Sequence, residues 1–144
     1  MTSAAETILT ALHQRLLTLD GPRVERNAAF PETVPPGGLI VLRDGDPGKP
    51  DTLLGGFDEA DYRHAVPIEI YAESTDQPAR DAAWDALAEA VGSLLRADPT
   101  LGGLAYGMSF GRPATGTEDS PGAGPIKEGT LIVTVDYQDP LPVV

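Results

Sequence analysis

The chain contains no cysteine and only two lysines, Lys49 and Lys127. The first absence removes disulfides, thiolate metal sites and thiol nucleophiles together. The second belongs to a wider shortage of positive charge: ten basic residues stand against 22 acidic ones, for a net charge of −12. Nucleic-acid binding draws on counterion release at clustered bases, and no such cluster occurs here. Two readings of the acidic surface stay open. It can be a solubilising coat, or a wall that repels nucleic acid as the lining of a DNA conduit would. Aromatic residues make up only 6% of the chain, so the core must come mainly from Leu, Val, Ile and Ala. No apolar run approaches the ~20 residues of a membrane span. The first residues lack the basic lead of a signal peptide, and Glu6, His13, Gln14 and Arg15 interrupt their apolar pattern. A soluble, intracellularly made protein is expected.

The 144 residues suit a single domain covering the whole chain. Ser3 with Glu6 makes a capping box ahead of Ile8, Leu9, Leu12, Leu16 and Leu19 at helical spacing, and Gly21-Pro22 ends that helix. His13 falls at the boundary of the apolar stripe. Residues 23–48, RVERNAAFPETVPPGGLIVLRDGDPG, run through a Pro-Pro-Gly-Gly turn into a short apolar strand at 39–43, then into a turn-rich stretch at 44–56. Residues 61–73 alternate, with Tyr62, His64, Val66, Ile68, Ile70 and Ala72 on one face. Pro67 cannot donate to a ladder, which predicts an edge strand or a bulge there. His64, on the apolar face with no second histidine nearby in sequence, reads as a satisfied structural residue.

Ser74, Thr75 and Asp76 offer caps for a second helix, Pro78 suits its first turn, and Trp84, Leu87, Val91, Leu94 and Leu95 form its buried stripe. Asp81, Asp85 and Glu89, four apart, make an acidic line on another face. It reads either as a solvated face or as one turned toward a lumen or partner. Asp98-Pro99 stops the helix. Residues 104–112 predict a strand with large residues on one side (Leu104, Tyr106, Met108, Phe110) and small ones on the other. Residues 113–125, rich in Gly, Pro, Ser and Thr, predict a long mobile loop, about 111–129 with its flanks. Leu131, Val133, Val135 and Tyr137 alternate along a closing strand. The expected class is α+β: a four-stranded, mostly antiparallel sheet with two helices packed on one face, in the order α-β-β-α-β-β.

The chain offers little for catalysis. Gly107-Met108-Ser109-Phe110-Gly111 matches the G-x-S-x-G nucleophile elbow, but no helix signal follows and both histidines precede the serine. Asp44, Asp46 and Asp51 suggest calcium, yet Gly48, Lys49 and Gly55 stand where an EF-hand needs an acid, a glycine and a glutamate. Gly45-x-x-Gly48-Lys49-Pro50 lacks the spacing and the Ser or Thr of a phosphate loop. No carboxylate pair has the apolar setting that separates two pKa values. No enzyme activity, metal or cofactor is expected.

Three stretches together resemble a known family: ERNAAFPETVPPGGLIVLRDGDPG at 25–48, RADPTLGGL at 96–104 and IKEGTLIVTVDYQDPL at 126–141. In this order and spacing they look like the tail-terminator (tail-completion) proteins of long-tailed phages, phage-like gene transfer agents and related prophages. The resemblance implies an α/β fold with a sheet and two helices, without catalytic residues. It implies a homo-hexameric ring on the head-proximal end of the tail tube that stops tube growth and meets the head–tail connector. The tail tube protein and a neck protein would be partners, DNA would pass through the ring without specific binding, and no membrane would be involved. The protein would be assembled in the host cytoplasm and reside in the neck of a virion or phage-like particle. The interface loops implied are the 44–56 turn, with Asp44, Asp46, Lys49 and Asp51, and the 111–129 segment, with Arg112, Thr115, Glu118, Asp119 and Lys127. The candidate acidic face is Asp81, Asp85 and Glu89. Rival readings are another neck protein of head-closure or connector type, a small serine hydrolase, and a generic interaction domain.

Overall fold

Ser3 caps the first helix as its spacing predicts, its hydroxyl accepting from the Glu6 amide at 3.1 Å. That helix, α1 (Ala4–Leu16), buries Ile8, Leu9, Leu12 and Leu16. The computed structural model of the chain describes residues 2–50, 59–118 and 125–140. Among these, six strands and two helices follow one another as α-β-β-β-α-β-β-β. After α1 come β1 (Arg23–Arg26), β2 (Leu39–Leu42), β3 (Glu59–Glu73), α2 (Gln77–Arg96), β4 (Gly107–Phe110), β5 (Thr115–Glu118) and β6 (Ile126–Pro140). The strands form one sheet in the order β1-β2-β3-β6-β4, with β5 also paired to β6.

The centre is a long antiparallel ribbon in which every residue of β3 faces one of β6, from Glu59 opposite Pro140 to Glu73 opposite Ile126. Alternation then assigns the faces. Ile68 and Ile70 of β3, Leu131, Val133 and Val135 of β6, and Ile40 and Leu42 of β2 turn to one side. They join a single apolar cluster with the buried faces of α1 and α2. Trp84 anchors α2 to the sheet, its indole N–H donating to the Ile70 carbonyl at 2.9 Å. On the other side Leu39, Val41, Tyr71 and Ile126 form a smaller cluster. The chain between β1 and β2 folds over this second face. Ala28 and Val34 pack on it, and the Phe30 ring stands edge-on to Tyr71 at 5.6 Å.

Several expectations need correction. The sheet has six strands, not four, and it is mixed because β1 runs parallel to β2. Strand β1, Arg-Val-Glu-Arg, carries one apolar residue and gives no alternation to read. The strand predicted at 104–112 is only Gly107–Phe110. Leu104 and Tyr106 lie in the preceding turns and are exposed. The segment predicted as a mobile loop contains β5, paired antiparallel to β6 from Thr115 opposite Gly129 to Glu118 opposite Ile126. β4 and β5 run along the same edge of β6, and their registers differ by one residue (Phe110 opposite Val133, Thr115 opposite Gly129). They therefore make one edge strand with a one-residue bulge in 111–114. Residues 119–124 of the predicted loop lie outside the described residues.

Pro67 sits on a central strand rather than an edge. Its carbonyl accepts from the Arg43 amide at 2.9 Å, just beyond the end of β2, so its missing N–H falls where the ladder stops. The Asp46–Ala65 bridge that follows is out of step with the Arg43–Pro67 contact by one residue, and Gly45, at φ 72°, takes up the difference. The bulge expected at Pro67 is thus on the strand opposite. Among the described residues no helix is long and apolar enough to cross a membrane.

Candidate interaction site

The acidic line of α2 is not bare. Asp81 meets Lys127 of β6 at 3.2 Å, while Asp85 and Glu89 face Arg112 at 3.9 and 3.5 Å. These contacts span a cleft of about 330 Å3 between α2 and the β4–β5–β6 edge. Its floor includes Trp84, Phe110 and Leu131. Lys127 lies over the Trp84 ring at 5.4 Å, and Arg96 over Phe110 at 5.6 Å. Each cation rests on an aromatic face, and Lys127 also meets the Asp81 carboxylate. Gly129, across from Thr115, makes room for the indole: a β-carbon there would lie 2.5 Å from Trp84 Cζ2.

The cleft is lined by Asp85, Glu89, Arg112, Thr115 and Lys127, and Asp81 joins them through its ion pair with Lys127, so six residues singled out from the sequence on two separate grounds come together. Arg112, Asp85 and Glu89 are well exposed, so their pairing contributes little to stability. Lys127 is different, with a side chain only 18% exposed. With both signs of charge and apolar walls, the cleft suits a mixed-charge protein surface more than a bare anion or cation.

The remaining candidates do not join it. Asp44, Asp46 and Lys49 belong to the turn beside Ala65 of β3. Along the ribbon, Ala65 lies seven residues from Ala72, the partner of Lys127, or about 23 Å. Asp44 plays a structural part. Its carboxylate accepts from Arg26 Nε and Asn27 Nδ2, both at 2.9 Å, and its amide donates to Asn27 Oδ1. Burial raises the Asp44 carboxyl, but the bonds from Asn27 and Arg26 outweigh it and hold the group below its ordinary value. Arg26 also forks onto Glu6 with two bonds of 2.8 Å, which lower the Glu6 carboxyl. Asp46 accepts from the Gly48 amide in a local turn. Lys49 borders a depression with Asp61, Arg63, Tyr106 and Asp136. Glu118 ends β5, whereas Asp51 and Asp119 lie outside the described residues.

His64 is buried and satisfied. Its Nε2 lies 2.6 Å from the Asp44 carbonyl, which can only accept, so Nε2 carries the proton and Nδ1 accepts from the Tyr137 hydroxyl at 2.8 Å. His13 is half-buried at the edge of α1's apolar stripe. Ser109 does not sit on an elbow. It is exposed on β4 opposite Thr134, and the chain continues into another strand rather than a helix. Among the described residues no group of three or more acidic or histidine side chains is placed to hold a metal.

Sequence reasoning missed the two cation–ring contacts and the network of Arg43, Glu69 and Tyr71 on the second face. One signal was available for Lys127. The alternation of Leu131 to Tyr137, carried four residues back, places this lysine on the helix-covered side of the sheet.

No family model matches the chain, and no curated protein matches it either.

Proposed function

We propose that this chain is a tail-terminator subunit: it closes into a homo-hexameric ring on the head-proximal end of a tail tube, ends tube polymerisation and presents the surface for head–tail joining. The observation that carries this reading is the ordered set of three stretches, 25–48, 96–104 and 126–141, and their placement supports it. The first supplies the end of β1, all of β2 and the segment laid over the second face, and the last supplies the central strand β6. The middle one ends α2 and inserts Leu101 into the core. The resemblance thus rests on framework and surface elements rather than on a reaction pocket, as an assembly role requires.

The charge supports it as well. Six copies at −12 would put about −72 on a ring through which DNA slides without sticking. The mixed-charge cleft of α2, Arg112 and Lys127 is a surface suited to a protein neighbour: the tail tube, the connector or the adjacent subunit. In this reading the protein works in the neck of a virion or gene transfer particle, without cofactor or catalysis.

Electron microscopy of particles made with and without the chain tests the proposal. Loss of a terminator leaves overlong tubes. Normal tails beside unjoined heads would instead make it a connector-type neck protein, and no effect on particles would overturn both readings. Ser109→Ala is expected to leave assembly unchanged, and a loss of function there would revive hydrolysis.

A further inference from the structure

Arg96 stands apart from the other cations of the α2 cleft. Arg112 is held by Asp85 and Glu89, and Lys127 by Asp81, whereas no carboxylate pairs with Arg96 among the described residues. Its guanidinium is nonetheless fixed in place. It lies over the Phe110 ring at 5.6 Å and against α2 at Gly92, where a β-carbon would come within 3.2 Å of an Arg96 NH2 group. The glycine lets Arg96 fold back one turn along the helix and line the cleft beside Phe110 and Gly111. Stacking covers one face of the guanidinium and leaves its N–H edge free to fork onto a carboxylate.

Charge then narrows the occupant. With 22 acidic residues against ten basic ones, two copies of this chain repel each other unless their joint sets bases of one against acids of the other. The cleft meets that condition: Arg96, Arg112 and Lys127 line it together, over a floor that includes Trp84, Phe110 and Leu131. We propose that the cleft receives a carboxylate of a second copy of the chain, seated on Arg96. The acids of α2 are already engaged by Arg112 and Lys127, so the incoming carboxylate belongs to a different part of the neighbour's surface. A joint between two unlike surfaces is heterologous, the kind that closes into a ring when the rotation between copies allows. The inference rests on the ring reading and names the joint between its subunits.

Sedimentation equilibrium of the full chain tests it. Self-association should weaken by at least about tenfold in Arg96→Glu, and should weaken as salt is raised. Arg96 is exposed, so this variant keeps its fold and melting temperature. Arg63→Glu makes the same change in net charge on a side chain that is 80% exposed and outside the cleft, and it should weaken association clearly less. Arg96→Lys treated with a carbodiimide, which joins an amine to a carboxylate in contact with it, should give a link from position 96 to an acidic residue of another, isotopically labelled copy. A chain that stays monomeric up to millimolar concentration overturns the proposal. So does an association that Arg96→Glu leaves unchanged or that both glutamate variants weaken equally, and so do links from position 96 confined to one chain. Particle morphology is scored separately: Arg96-dependent association with normal tails in particles lacking the chain sinks the terminator reading alone, and overlong tubes that Arg96→Glu restores to normal length sink this joint alone.

Discussion

Arg43 grips Glu69 across the end of β2 with two hydrogen bonds, Nε to Oε2 at 3.0 Å and an NH2 group to Oε1 at 2.8 Å. Tyr71 donates to the same carboxylate at 2.6 Å. Burial works to raise the Glu69 carboxyl, yet the bonds from Arg43 and Tyr71 prevail and hold it below the ordinary 4.5. A group whose folded pKa is depressed stabilises the fold above its unfolded value, and that contribution is lost as pH falls through the folded one. Denaturant midpoints should therefore drop below about pH 4.5, with Glu6 and Asp44, shifted the same way, adding to the fall. Glu69→Gln should make the acid limb shallower, which a midpoint-against-pH series will read.

Gly129→Ala should destabilise the fold by about 1–3 kcal/mol. The new β-carbon meets the indole of Trp84 at 2.5 Å and the Ala114 carbonyl oxygen at 3.1 Å, and neither is a flexible side-chain end. Trp84 is the chain's only tryptophan, so its emission should shift to the red in the folded variant as the ring is displaced.

Gly45→Ala should be the more damaging change. It places a β-carbon 2.0 Å from the Ala65 carbonyl oxygen at a φ of +72°, where left-handed backbone alone costs an L-residue about 1–2 kcal/mol. Chemical denaturation will show the loss. Faster amide exchange at Ala65 will locate it at the bulge.

Tyr137→Phe removes the hydroxyl donor to His64 Nδ1 inside the core, at a cost of about 1–3 kcal/mol. The variant should melt several degrees lower with its circular dichroism spectrum unchanged.

Arg112→Ala should leave unfolding free energy within about 0.5 kcal/mol of the parent, because its side chain is 85% exposed and its pairs are solvent-screened. An assembly defect in this variant would then report on binding rather than on folding.

How much of this was legible in the sequence follows from where each element's specification lies. Both helices announce themselves locally, through Ser3 and Asp76 at their caps and stripes such as Trp84, Leu87, Val91 and Leu95. Strands β3 and β6 alternate over long runs because one face packs on the helices, so their period is written in the residues. Strands β1 and β5, Arg-Val-Glu-Arg and Thr-Gly-Thr-Glu, are four-residue pieces at opposite sheet edges, held mainly by backbone pairing with a neighbour. Nothing local distinguishes them from loop. The same holds for the candidate site. The spacing of Asp81, Asp85 and Glu89 shows an acidic line, but its partners Arg112 and Lys127 arrive from across the fold. The one-residue steps at Gly45 and at 111–114 are properties of pairing, which single-strand patterns do not carry.

The β3–β6 ribbon also sets the order in which the chain can fold. Its innermost pair, Glu73 with Ile126, closes a loop of 53 residues, and its outermost, Glu59 with Pro140, closes one of 81. Such distant pairings must offset a large closure entropy before they return any stability, which slows folding. During synthesis β3 waits beside the short β2 while α2, β4 and β5 are made, and the core face is completed only when β6 emerges. The nascent chain therefore lacks a finished core until β6 has been translated, and a truncated chain that stops before β6 should be cleared by proteolysis.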